Sequence, residues 1–292
     1  MRDDGRPFAP FSSFIIHNSA LPFAGLRAVL RDPLYRWEVR RYWTGRRRAL
    51  TAIGLTIWGA AWCWWFFSGY FVRHSMFSMC LLLLAWRPPL EFLAAAGAAL
   101  SIAPEKHLPQ FEHFRLTTLD PRRFFMARYW GRLQGLGLYW RVLGLLLLAL
   151  VIAGRINLGW SNDPDSLILS RSVAFLAVAA FHAELWVMLL TDAAVGLFFS
   201  ATSRSASAAL ASTGLFSFAV IPTAMLAVGA AGAAAAGWVA EEYHDTTLEA
   251  TEYVRFLFFA LARLAAGFLA MKFVVRYARL VVERAFCGEE AA

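Results

Sequence analysis

Apolar residues in this chain come in long continuous runs, separated by short charged segments, and do not alternate with polar ones. Six runs are long enough to cross a hydrocarbon core, which takes about 20 residues. They lie at about Ala49–Val72, Ser75–Ala103, Leu133–Ala153, Ser172–Ser200, Ala206–Trp238 and Tyr253–Val275. The second run is too long for one straight helix and too short for two spans. Arg87-Pro88-Pro89 interrupts it. Each proline removes a backbone donor and clashes with the preceding turn, so a single kinked span is expected there. Continuous runs argue against a β-barrel, whose strands alternate. The pattern predicts an all-α polytopic membrane protein with about six transmembrane helices.

Charge fixes the expected orientation. Residues 1–48 hold ten arginines and no lysine, the segment 104–132 holds six basic residues, and the stretch from Lys272 onward holds four. The alternate loops hold few: Arg73, then Arg155 and Arg171, then Arg255. The fifth-to-sixth loop is acidic, "AEEYHDTTLEATE". Basic loops stay on the cytoplasmic side, so both termini are expected inside. The chain then divides into a cytoplasmic N-terminal segment (1–48), a six-span domain (49–275) with a cytoplasmic loop at 104–132, and a cytoplasmic tail (276–292). The first apolar run begins some way into the chain, where a secretory signal peptide would start sooner.

Composition agrees with this. Of 292 residues, 59% are hydrophobic and only 16% charged, with mean hydropathy +0.52. Soluble domains are nearer a quarter charged. The net charge of +8 does not point to nucleic acid, because the arginines cluster at the ends of apolar runs and suit a membrane surface. The richness in arginine and alanine suggests a GC-rich bacterium, and so a bacterial cytoplasmic (inner) membrane. Cys63, Cys80 and Cys287 form no CxxC pair, so neither a zinc knuckle nor a disulfide framework is suggested.

Two short cassettes break the apolar pattern: "DPLYRWEVRRYW" from Asp32 to Trp43 and "DPRRFFMARYW" from Asp120 to Trp130. Asp is a good N-cap and Pro suits the first helical position, so each specifies a helix start. In the first, Leu34, Trp37 and Arg41 fall on one side and Arg36 and Arg40 on another. That suits an interfacial elbow in the headgroup layer, using Trp37, Glu38, Arg40 and Arg41, with membrane lipid as partner. The second reads as the tail of a cytoplasmic helix-turn-helix. Lipid anchoring alone is the plainer reading of both.

The stretch "SIAPEKHLPQFEHFRLTTLDPRRFFMARYWGRL" resembles the first cytoplasmic loop of type-2 ATP-binding-cassette (ABC) exporter permeases. In that family a small-residue run ends the second span. A glutamate, a charged turn, an amphipathic segment ending in Leu-Ser-Pro and a helix closing in lysine follow. Glu105, Glu112, Phe114, Leu116, Thr117, Leu119, Asp120, Pro121 and Arg128 fall on those positions without a gap. The pattern departs at Pro109-Gln110, where the family has Gly-Thr, and at Thr117-Thr118, where it has Thr-Pro. Upstream, "DPLYRWEVRRYWTGRRR" resembles the family's opening, with Glu38 on its glutamate. Downstream, "GLFFSATSRSASAALAST" resembles its short fourth-to-fifth turn.

The resemblance implies a coupling loop that sits in a groove on a separate ABC ATPase subunit. Phe111, Phe114 and Leu116 would be its buried anchors, and Glu105, Glu112, Arg122, Arg123 and Arg128 its polar contacts. A second permease chain, alike or different, would complete the transporter. ATP and Mg would be bound by the partner and no cofactor by this chain. The sequence agrees on that last point. Its two lysines, Lys106 and Lys272, follow Glu105 and Met271, whereas a phosphate-cradling loop needs lysine after glycine.

Catalytic motifs are missing too: neither HExxH nor G-x-S-x-G occurs. No metal ligands and no catalytic residues are expected, and the acidic "EEYHDTTLE" reads as a solvated connector. Ionisable residues within the apolar runs default to a functional hypothesis. These are Arg141, His182, Glu184, Asp192 and Arg263, with Arg87 and Glu91 beside the prolines. Glu184, Arg141 and Arg263 fall at similar depth, which invites pairing. Such pairs could hold helices in register or line a substrate path. His182 could report pH or simply bond a neighbour. The small-residue run from Val228 to Trp238 allows close helix contact, within the chain or with a second permease. Two rival readings stay open: a non-transporting membrane scaffold that recruits a cytoplasmic partner through its basic loops, and an intramembrane enzyme centred on His182 and Glu184.

Overall fold

The computed structural model describes residues 30–67, 87–106, 108, 111, 119–152, 164–242 and 248–287. Among them there are helices and no strands. The helices are α1 (Pro33–Tyr42), α2 (Gly45–Phe67), α3 (Arg87–Ala99), α4 (Pro121–Ile152), α5 (Pro164–Thr202), α6 (Ala206–Leu215), α7 (Ile221–Glu242) and α8 (Leu248–Cys287). A π-helical turn, Phe216–Val220, joins α6 to α7.

Among the described residues three stretches are long and apolar enough to cross a membrane: Phe175–Thr202, Ala206–Trp238 and Val254–Cys287. They match the fourth, fifth and sixth expected spans, and the last helix runs past Val275 to Cys287. The stretch on α5 is the hub, with 78% of its apolar window buried against 22% and 17% for the other two. It packs against α3, α4, α6 and α8. Small residues make that possible. A Cβ added at Gly196 would lie 2.5 Å from the Ala95 carbonyl oxygen and 2.7 Å from Ala98 Cβ, so α3 and α5 touch nearly backbone to backbone. The outer faces of α7 and α8 carry exposed Leu226, Val228, Phe258, Leu269 and Phe273, as a lipid-facing surface does.

The remaining expectations meet the structure unevenly. Residues 68–86, which hold much of the second run, lie outside the described residues. Pro88 and Pro89 lie within α3, at the start of its described part. The second Asp-Pro cassette is not a separate helix before the third run. It is the first third of α4, which continues unbroken to Ile152.

Both cassettes begin as their sequence predicts. The Asp32 carboxylate accepts from Leu34 N–H at 2.9 Å and that of Asp120 from Arg122 N–H at 3.0 Å. They also pack on each other. The buried face of α1 is Tyr35, Glu38 and Val39, not the Leu34–Trp37–Arg41 side expected to sink into lipid. Trp37 is 42% exposed and lies under the Arg41 guanidinium at 4.9 Å. Trp43, just past α1, fills a notch in α4 where Gly135 has no side chain. A Cβ there would overlap the indole. The indole N–H also donates to the Gly131 carbonyl at 2.9 Å. The elbow's packing energy therefore comes from protein contact.

Candidate functional site

Two charged networks occupy the bundle. The inner one is built around Glu184, which is fully buried on α5. It accepts from Arg87 Nη1 at 2.9 Å and from Arg263 Nη2 at 2.8 Å. Arg87 also donates from Nε to Glu91 at 2.9 Å, one turn along α3. The chain Glu91–Arg87–Glu184–Arg263 thus ties α3, α5 and α8 together. Arg263 is further packed over Phe259 and Phe181 at 5.3 and 6.0 Å. Burial of four charged groups is tolerable only because each carboxylate faces a guanidinium.

The expected partners are thus half right in membership. Glu184 and Arg263 do pair. Arg141 does not join them: its side chain on α4 is exposed and meets no carboxylate among the described residues. Depth was similar, but the rotation of α4 turns it outward. His182 does not share a site with Glu184 either. Two residues apart on a helix, they point to different sides. The imidazole stacks on Trp140 at 4.4 Å, and the Trp140 indole donates to the His182 carbonyl at 3.0 Å. Asp192, two turns further along α5, is fully buried, and neither carboxylate oxygen makes a hydrogen bond of good geometry. Glu91, Arg87 and Ser217 are its polar neighbours.

The second network sits where the expected cytoplasmic loop begins and ends. Arg128 on α4 is its centre and is 1% exposed. It donates to Glu105 at 3.1 and 2.5 Å and to the Ser101 carbonyl at 2.8 Å. Its Nε lies 2.9 Å from Glu38 on α1, as a charge contact without an aligned hydrogen bond. Arg132 approaches Glu38 at 3.6 Å and Arg41 approaches Glu105 at 2.7 Å. At the rim, Arg123 pairs with Asp32 at 2.9 Å, linking the two cassettes at their caps.

The turn between α3 and α4 is held from a second side. Ser200 Oγ accepts from Ile102 and Ala103 N–H, both at 2.8 Å. Lys106 donates to the Ala201 carbonyl and to that of Ser203 at 3.2 Å. A cation there satisfies carbonyls left open at the α5 C-terminus and meets its dipole.

Electrostatics follow from these contacts. Burial alone would raise the Glu105 carboxyl, but the Arg128 hydrogen bond and the charges of Arg128, Arg41 and Arg132 hold it below its ordinary 4.5. The hydrogen bond from Arg123 holds Asp32 down as well. Burial lowers Lys106. It also brings Arg132 down to about 10, offset only in part by Glu38, and pushes Tyr35 up to about 12.

The loop residues expected to grip a partner divide into three groups. Phe111 and Arg128 spend their side chains inside this chain. Phe111 is buried against Phe124 and Phe286 at 6.2 and 6.3 Å, so its anchoring groove is its own. Glu105 is largely enclosed. Arg122 and Arg123 are exposed, as is Leu108 at 44%. Glu112, Phe114 and Leu116 lie outside the described residues. Glu38 likewise moves from the interface into the buried network, whereas Arg40 and Arg41 stay at the surface. Among the described residues no group of three or more His, Cys, Asp or Glu stands together to hold a metal ion. Sequence reasoning passed over Ser101, Ser200 and Trp43, since single polar or aromatic residues at run ends carry no periodic signal. Comparison with protein-family models, with curated proteins and with solved structures finds no match.

Proposed function

We propose that the chain is the six-span membrane subunit of an ABC exporter, lacking its own ATPase and worked from the cytoplasm by a separate ATPase subunit. The observation that carries this reading is the Arg128 clamp. It fastens α1, the turn after α3 and the start of α4 to one another where the resemblance puts the coupling loop. A push on that loop would then reach several helices at once, with little lost in local bending. What supports it further is the continuity of α4, which makes the second cassette a lever on the third span.

Under this reading Glu105 and Arg128 stiffen the lever. Leu108, Arg122 and Arg123 offer the surface for the partner. The inner network is a register lock between α3, α5 and α8, and it moves as a unit when the bundle rearranges. Both termini lie in the cytoplasm, in a bacterial inner membrane, and a second permease chain closes the transport path.

Purification from its native membrane tests the reading. The chain should bring down a P-loop ATPase, and the complex should hydrolyse ATP. Cysteines at Leu108 or Arg122 should crosslink to that subunit in a nucleotide-dependent way. A topology reporter inserted at Leu108 that reads out on the external face would defeat it, as would a purified chain with neither ATPase nor crosslink. That last result would favour the scaffold.

A further inference from the structure

Helix α2 stands off from the bundle. Its Leu50, Ile53, Ile57, Trp58 and Trp64 are exposed, and Leu55 is its buried contact among the described apolar side chains. Cavities fill the gap. One of about 500 Å³ lies between α2, the end of α3 and the elbow, with the exposed Arg41 and Arg47 at its mouth and the buried Arg132 lining it beside Leu50, Leu93 and Leu100. A second, of about 310 Å³, lies further along α2, between Leu55 on α2, Leu90 on α3 and Tyr139, Val142 and Leu143 on α4, and is almost wholly apolar. Going from Arg47 to Leu55 on α2, and from Leu100 to Leu90 on α3, the lining passes from charged to greasy.

The mouth is short of negative charge. Within the outer network Glu38 and Glu105 face Arg41, Arg128 and Arg132. Arg47 adds a further cation, stacked on Tyr42 at 5.1 Å, and Arg132 stacks on the same ring at 3.9 Å. Arg132 is 7% exposed, and its Nε has no hydrogen-bond acceptor. Among the described residues Glu105 is the one carboxylate in the lining. Guanidinium forks held by an aromatic ring suit a phosphate, and basic pockets at the cytoplasmic ends of spans bind anionic headgroups.

We infer that this crevice is a binding site for one anionic phospholipid, its phosphate held by Arg47 and Arg132 and an acyl chain running along α2 toward Leu55 and Leu90. The inference needs only that the chain sits in a membrane. It stands or falls apart from the transporter reading. A bound lipid would supply the missing negative charge and fill the gap that keeps α2 from the bundle.

The full-length chain in detergent tests it, with phosphatidylglycerol, phosphatidylcholine or soluble glycerol phosphate added. Phosphatidylglycerol should raise the melting temperature and stay bound in native mass spectrometry, and the other two should not. Arg47→Glu should cut retention about tenfold, the equivalent of one charge-assisted hydrogen bond. Thr56→Trp, which fills the deep cavity without altering charge, should do the same, and covers the case in which the charge reversal fails to fold. Arg284→Gln, an exposed charge elsewhere, should behave as the parent. Equal effects of phosphatidylcholine would overturn the site. So would unchanged retention in Thr56→Trp, or a full shift from glycerol phosphate alone, which would leave only a free-anion site.

Discussion

The two charged networks differ in balance. The inner one sets Glu91 and Glu184 against Arg87 and Arg263, while the outer one sets Arg41, Arg128 and Arg132 against Glu38 and Glu105. The inner ion pairs match in number, and the outer set carries one cation more than it has carboxylates. The inner network joins α3, α5 and α8 in the apolar body. The outer one joins α1, α4 and the turn after α3, and the exposed Arg41 brings it to the surface. A buried pair is costly to form and more costly to break. The penalty for breaking it should therefore grow with distance from water, and that contrast can be measured.

The largest effect is expected at the inner network. Glu184→Ala strands the buried Arg263 and leaves Arg87 with Glu91 alone, and should cost roughly 3–5 kcal/mol. Size-exclusion profiles in mild detergent should show little monodisperse protein. A normal profile would mean that the arginines find other partners. Arg128→Met comes next, at about 2–3 kcal/mol. Glu105 keeps Arg41 and Glu38 keeps Arg132, so the loss is shared. Thermal unfolding of the two variants in one detergent should rank them in that order, and the reverse ranking would break the depth argument.

Acid should act on the outer network through Glu105. Its carboxyl lies below its ordinary 4.5 in the folded state. The pairing therefore stabilises fully above that value and is lost as pH falls through the folded one. Glu105→Gln should flatten the decline in melting temperature below about pH 4.5, and an unchanged slope would place the acid sensitivity elsewhere. The smallest effect is expected at Asp32. Asn still caps a helix, so Asp32→Asn loses only the exposed Arg123 contact and should leave the melting temperature in place. Asp32→Ala also loses the cap and should cost about 1 kcal/mol. Equal shifts from the two would assign the stability to the ion pair.

Helix starts and the later apolar runs were legible because their signals are local. Asp32 and Asp120 announce caps, and the last three runs announce membrane-length helices. Depth along a run predicted the Glu184–Arg263 pair. Rotation about the axis was not legible, which is why Arg141 was misplaced: an apolar helix carries no polar stripe to say which way it faces. The elbow misled for the opposite reason. Its buried face contains a glutamate, so an amphipathic reading put Glu38 outside. Only the three-dimensional approach of Arg128, ninety residues along the chain, makes that burial tolerable. The same approach hides Arg128, which the loop's sequence offers as a surface cation.

The wide turn at Phe216–Val220 has a consequence for everything after it. A π turn accommodates one residue more than an α turn would in the same rise. The helix that follows is thereby phased, like a screw advanced by part of a thread. On it, Gly229 lies against Phe259 and Arg263, and Gly232 against Ala262. Deleting one residue from the turn itself would restore an α turn and leave α7 in phase, whereas deleting one from α7 ahead of Gly229 would rotate the rest by about 100° and swing those glycines off α8.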